Sequence, residues 1–260
     1  MAGNNSCGSR SIHYGNMVHN VLGIDALLLD GSEFHLGPFD APLLEWKQRY
    51  IVTQLHDIAN REKDEIEKVW PKLLRRVAGY NLDIFCNQSE KPYTNDGSVN
   101  LAHLLVGAEG TLAFTKSLTL QLAEWPRAKV LGIVNFPTFR AAMEAAQHIV
   151  KLGPTAVELV DRIMIELALD NPAFRPTVET ALTGRPAAIL LVEFAGNDQA
   201  ALLPKLAQLA ELMGDLGLPG SVVSMSDEAA QKNLWDVRKA GLNIMMSLKG
   251  DGKPVPAVSV

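Results

Sequence analysis

The sequence predicts an α+β protein, and three observations carry that reading. From residue 127 on, apolar runs of strand length alternate with amphipathic runs of helix length, in the order β-α-β-α-β-α-β-α. That order suggests a sheet layered with helices on one face. The first 126 residues run differently, from a Gly/Asn/Ser-rich loop into two short strands, a charged helical stretch and a further strand. Hydrophobic residues make up 47% of the 260, enough for a substantial core. No apolar run approaches the roughly 20 residues of a membrane span.

Taken in order, the chain opens on small residues, Gly3-Asn4-Asn5-Ser6-Cys7-Gly8, with Tyr14-Gly15 behind them. A loop of this kind lets backbone N–H groups approach a bulky anionic ligand, because few Cβ atoms intervene. The alternative is an ordinary polar tail. Residues 21–29 and 33–36 read as a hairpin turning at Asp30-Gly31. Residues 43–76 read as mostly helical, with Pro71 opening a further helical turn. Gly79-Tyr80-Asn81-Leu82-Asp83 and a polar loop over 87–97 follow, then an apolar stretch, 99–106, ending in Gly107-Ala108-Glu109-Gly110-Thr111. Residues 112–122 alternate with period two, as a strand does.

Trp125-Pro126-Arg127 marks a boundary. Beyond it, strands are expected over 129–136, 156–160, 187–194 and 222–225, and helices over 138–152, 161–169, 198–216 and 227–246. Residues 170–176 read as a loop, and Asp227 or Ser226 as the cap of the last helix. Residues 254–260 read as the start of another strand.

Composition excludes several functions. A net charge of −5 offers no broad nucleic-acid surface. Two cysteines, Cys7 and Cys86, make no disulfide scaffold and fit a reducing, cytoplasmic setting. The N-terminus lacks the basic-then-apolar pattern of a signal peptide. His56, His103 and His148 have no partner at metal-ligand spacing and His35 stands at a strand end, so no metal site is expected. His13 and His19 flank the N-terminal loop, either near a ligand or as surface polar groups. The glycines precede strands rather than opening a helix, which is not the dinucleotide fingerprint, and no G-K-[ST] triphosphate loop occurs.

Gly3–Gly8, Tyr14-Gly15, Val21-Leu22-Gly23, Asp30-Gly31 and residues 106–113 together resemble the second half of the FAD-binding domain of the FAD-linked oxidases. This is the fold of vanillyl-alcohol oxidase and p-cresol methylhydroxylase (VAO/PCMH-type). Gly79–Asp83 and Leu234-Trp235-Asp236-Val237-Arg238 are similar to its glycolate oxidase/D-lactate/D-2-hydroxyglutarate dehydrogenase branch. The resemblance implies that residues 1–126 are the second part of an FAD-binding domain. Residues 127–260 would be a cap domain on the substrate side, an antiparallel sheet with helices on one face, incomplete at its C-terminus. It also implies an internal piece of a longer enzyme, whose first flavin subdomain, metal-binding His pair and catalytic His and Glu lie elsewhere. The face of the first half that meets that subdomain would be apolar and open.

Carried onto this sequence, the resemblance puts Asn4, Asn5, Ser6, Cys7 and Gly8 beside the flavin, with Tyr14 and Gly15 continuing that wall. Glu109, Gly110, Thr111 and Ala113 fall along the adenosine half. Cys7 could be a reactive thiol, a flavin attachment point or a small buried loop residue. Arg238 matches an arginine that pairs with the substrate carboxylate, the geometry a guanidinium fork suits. Read without the resemblance, it is an exposed helix arginine. Leu242 stands where related 2-hydroxyglutarate enzymes carry Thr, and Lys253 is out of step with a lysine farther on, which leaves recognition of a second carboxylate open.

The implied activity is oxidation of a D-2-hydroxy acid (lactate, glycolate or 2-hydroxyglutarate type) to the 2-oxo acid by hydride transfer to flavin N5. The general base lies outside the segment, and no catalytic residue is assigned within it. The electron acceptor would be a quinone, cytochrome, electron-transfer flavoprotein or iron–sulfur module, which allows a peripheral place at the inner membrane. A homo-oligomer and, in a longer parent, a metal ion remain open. The alternative is a non-catalytic fragment, or a half completed by a partner and unable to hold FAD alone.

Overall fold

The computed structural model describes residues 1–40, 45–73, 76–86 and 91–247. They fall into two compact units, Met1–Ala123 and Glu124–Val260.

In the first unit three strands, β1 (Val21–Leu27), β2 (Glu33–Leu36) and β3 (Phe114–Leu120), form an antiparallel sheet in the order β2-β1-β3. The β1–β2 connection turns where expected. Asp30 Oδ1 accepts from the Ser32 N–H at 3.1 Å, and Gly31 takes a φ of +80°. Val21, Ile24 and Ala26 of β1 and Phe34 and Leu36 of β2 are buried, against Val52 of α2 (Trp46–Arg61) among others. A short helix, α1 (Ser11–Tyr14), precedes β1, and α3 (Lys63–Val69) follows α2.

Pro71 does not open a further helical turn. Trp70 is extended, with ψ 128°, because the ring of the following proline excludes the helical region. The apolar stretch before Gly107 contains a 3-10 turn, Leu101–Leu104, all four residues buried. The strand read over 112–122 is β3, exposed at every position, including Phe114, Leu118 and Leu120.

In the second unit β4 (Ala128–Phe136), β5 (Ala156–Asp161), β6 (Ala188–Gly196) and β7 (Val222–Met225) form a sheet of order β5-β6-β4-β7, antiparallel at each pairing. Among the described residues five α-helices accompany it: α4 (Phe139–Ile149), α5 (Arg162–Asp170), α6 (Arg175–Glu179), α7 (Gln199–Asp215) and α8 (Glu228–Ser247). The starts of α4, α5, α7 and α8 are written in the sequence. Thr138, Asp161, Asp198 and Asp227 each accept a backbone N–H from the first turn, at 3.1, 2.9, 3.0 and 2.7 Å. Asp227, not Ser226, makes that bond for α8. The loop read over 170–176 gives way at Arg175 to α6, with Pro176 in its first turn.

The expectation of helices on one face is corrected: they cover both. Val130, Val134 and Phe136 of β4 and Leu190, Val192 and Phe194 of β6 pack on one side, with Ala142, Ile149, Leu206 and Leu209 of α4 and α7. The alternate residues Leu131, Ile133, Ile189 and Leu191 pack on the other, with residues of α5, α6 and α8. The physical reason lies in the strands themselves. β4 and β6 are nearly continuous apolar runs, and a strand apolar on both sides must be buried on both. Gly132 permits the close approach of α7, since a Cβ there would lie 2.5 Å from Leu209 Cδ2. The strand expected over 254–260 lies outside the described residues.

Candidate functional site

In the first unit, the two glycine-bearing loops about a hundred residues apart in sequence lie side by side. Gly107 N–H donates to Ala2 O at 3.0 Å and Glu109 N–H to Gly3 O at 2.8 Å. Asn5 and Glu109 are the positive-φ non-glycine residues among those described, at +46° and +51°. Such conformations cost free energy and mark places where the surrounding structure dictates the backbone.

Asn5 is buried, and its side chain works inward. Its Oδ1 accepts from Val18 N–H at 2.9 Å and its Nδ2 donates to Arg76 O at 3.4 Å. Asn5 therefore shapes the loop rather than reaching outward. Asn4 and Ser6 bond to each other, Ser6 Oγ donating to Asn4 Oδ1 at 2.6 Å. Cys7 and Gly8 are exposed, which corrects the reading of Cys7 as a small buried residue. Glu109, Gly110 and Thr111 are exposed, and Ala113 is half-buried. Thr111 Oγ1 bonds to Tyr80 OH at 2.9 Å, which ties Gly79-Tyr80 to the same loop. Gly15, at φ +75°, is set by packing, since a Cβ there would lie 2.9 Å from the His19 ring.

Under the loops lies a polar network that sequence reasoning missed. Arg76 Nη2 bonds to both oxygens of Asp83 at 2.8 Å, and Tyr93 OH donates to Asp83 Oδ2 at 3.0 Å. Burial nonetheless holds the Asp83 carboxyl above its ordinary value, with Arg76 opposing. Asn81 Nδ2 donates to the carbonyls of His103 and Val106, at 3.0 and 2.9 Å. His103 is buried, its Nε2 3.1 Å from Val21 O, and burial lowers its pKa to about 4. His19 is also lowered, by burial first and then by Lys91. Neither histidine is a surface group. For His103 the signal was available in outline: it is an isolated polar residue inside an apolar run.

A cavity of ≈ 600 Å³ in this unit is lined by Tyr14, His19, Lys91, Tyr93, Asn100 and His103 among others. Of the expected cofactor residues it includes only Tyr14; Asn4–Gly8 and Glu109–Thr111 lie elsewhere on the unit. Among the described residues no group of three metal-ligating side chains is gathered.

In the second unit, Leu234, Trp235 and Val237 of α8 are buried on the sheet face that α5 and α6 share. They carry Arg238 to β5. Arg238 Nε bonds to Glu158 Oε2 at 2.8 Å and Nη2 to the same oxygen at 2.5 Å. The Arg238 side chain is 26% exposed and that of Glu158 0%, so Arg238 is not the solvated helix arginine of the plain reading. A small cavity of ≈ 30 Å³ beside it is lined by Val160, Met164, Leu191, Val237 and Arg238 among others. The side chain of Leu242 and all of Lys253 lie outside the described residues.

A Cβ at Gly8 or Gly110 would meet nothing within 4 Å, so both present open backbone. Residues 125–259 match the family described as FAD linked oxidases, C-terminal domain. The D-2-hydroxyglutarate dehydrogenase of Escherichia coli (strain K12) is 26% identical over 272 residues, covering 98% of this chain and 26% of that protein. A probable mitochondrial D-lactate dehydrogenase of Danio rerio is 23% identical, covering 96% of this chain and 39% of that one. An alkyldihydroxyacetonephosphate synthase structure covers 94% of this chain and 35% of its own, at 14% identity and a TM-score of 0.55, a likeness of fold. The chain spans about a quarter of the length of the D-2-hydroxyglutarate dehydrogenases it matches.

Proposed function

We infer that this chain, which belongs to the FAD linked oxidases through its C-terminal domain, forms part of an FAD-dependent dehydrogenase that oxidises a D-2-hydroxy acid to the 2-oxo acid. The observation that carries the reading is the pairing of residues 1–8 with residues 107–111 through Gly107 N–H to Ala2 O and Glu109 N–H to Gly3 O. It brings together two segments that are each weak as motifs, with Cys7, Gly8, Glu109, Gly110 and Thr111 exposed. The names of the relatives support the hydroxy-acid class.

FAD, when bound, supplies the two-electron acceptor; the protein supplies binding, orientation and electrostatics. Asn5 holds the first loop in its positive-φ shape from beneath, while Cys7, Gly8, Glu109, Gly110 and Thr111 provide its outer face. Tyr14, Gly15 and Ala113 flank that surface in sequence. Arg238 binds the substrate carboxylate and so fixes the hydroxyl-bearing carbon, a gain in orientation rather than in chemistry. Oxidation releases two electrons and two protons. An acceptor such as a cytochrome takes the electrons, as the name of an Arabidopsis thaliana relative, "D-lactate dehydrogenase [cytochrome], mitochondrial", suggests.

Anaerobic addition of D-lactate, D-2-hydroxyglutarate or glycolate to the FAD-loaded protein tests this. Saturable bleaching of the flavin absorbance by one of them, absent with the L-enantiomer of a chiral substrate, is the expected result. A protein that binds FAD but is bleached by none contradicts it. A second reading, that the chain holds FAD only when completed by another polypeptide, is favoured by the wholly exposed β3. A purified chain that stays colourless in excess FAD supports it; a yellow one overturns it.

A further inference from the structure

A fully buried carboxylate sits under the proposed substrate arginine. Glu158 lies on β5, on the face shared with Ala156 and Val160, and its side chain is 0% exposed. Taking a carboxylate out of water is costly, and ion pairs of this kind seldom repay that cost in stability. The geometry is specific. Nε–H and one Nη2–H of Arg238 converge on a single oxygen, Oε2, at 2.8 and 2.5 Å. A guanidinium has five N–H donors in a fixed plane. The side-on edge is therefore given to Glu158, and the end-on edge, Nη1–H with the second Nη2–H, points away from it. The Arg238 side chain is 26% exposed, so part of it reaches solvent.

We propose that Glu158 is a positioning residue, which clamps the side-on edge of Arg238 so that its end-on edge receives the substrate carboxylate as a two-bond fork. This rests on the reading of Arg238 as the carboxylate anchor. Preorganisation of this sort lowers the cost of ordering a long side chain on binding.

The test uses the FAD-loaded protein with D-lactate as the probe and three variants, Glu158→Met, Glu158→Asp and Arg238→Ala. Glu158→Met fills the same apolar space, and Arg238 retains access to water, so the fold is expected to hold. KM for D-lactate is expected to rise about tenfold while kcat changes less than about threefold. Glu158→Asp keeps the charge but retracts it, and the KM rise is expected to be smaller. Arg238→Ala is expected to raise KM about a hundredfold. A readout apart from turnover is the Arg238 Nε–H signal in a 15N–1H correlation spectrum. It is expected to be sharp and sensitive to D-lactate in the parent protein and broadened in Glu158→Met. If Arg238→Ala leaves KM unchanged, the anchor reading fails and this proposal falls with it. If Arg238→Ala acts but Glu158→Met is folded with unchanged KM, the anchor stands and the proposal is overturned. Should Glu158→Met fail to fold, Glu158→Asp decides: raised KM supports the clamp, and unchanged KM removes it.

Discussion

The two units hold their proposed functional elements by opposite means. In the first, two exposed backbone loops are pinned from beneath by buried amides and an ion pair: Asn5 to Val18 and Arg76, Asn81 to His103 and Val106, Arg76 to Asp83. In the second, one charged side chain, Arg238, is carried by a helix packed into an apolar layer and meets the buried Glu158. A surface made of backbone must be fixed through groups that bond to backbone, which means amides. A surface made of one side chain can be fixed by packing its helix. The units should accordingly fail under different insults.

The largest effect should come from the apolar side. Leu209→Ala, in the fully buried layer between α7 and β4, is expected to cost about 4 kcal/mol. Hydrogen exchange at the β6 amides should report it, with the β1 amides less affected. Equal loss in both units would break the contrast.

Acid should act on the first unit. His103 titrates near 4 when folded, below the ordinary 6.5. Below about 6.5 the unfolded chain takes up a proton that the folded chain refuses, so stability present above that pH is lost as pH falls toward 4. The loss is on the order of 3 kcal/mol. Urea unfolding at pH 7 and 4.5 measures it, and a His103→Gln variant should flatten the difference.

Asn5→Ala, which leaves the Val18 N–H without its acceptor inside the core, is expected to cost about 2 kcal/mol. It should also weaken FAD uptake though the side chain faces inward. An unchanged FAD affinity would detach the network from the loops. Smaller still, Gly107→Ala places a side chain at φ +87°, 3.2 Å from Gly79 O, and should cost about 1–2 kcal/mol by thermal melting.

The same contrast explains what was legible in the sequence. The helices α4, α5, α7 and α8 were, because each carries its cap: Thr138, Asp161, Asp198 and Asp227 are local signals, whereas α6, with no side-chain cap, was read as part of a loop. The hairpin at Asp30-Gly31 was legible for the same reason. The two-sided sheet was written in the unbroken runs of β4 and β6, but alternating helices alone do not say which face each covers. Glu158 was visible only as an acid inside an apolar strand, and its partner is 80 residues away. The amide network was hidden too, since Asn5 and Asn81 look like turn residues until distant carbonyls are brought to them. Flavin residues were nominated by type, and burial separates Asn5, which turns inward, from Gly8 and Gly110, which face out.

The most direct measurement is a hydrogen-exchange footprint of FAD on this protein. Protection is expected at residues 4–8 and 109–111 together, rising with the same FAD concentration dependence. Protection confined to the cavity lined by Lys91, Tyr93 and His103, with both loops unchanged, would contradict the account.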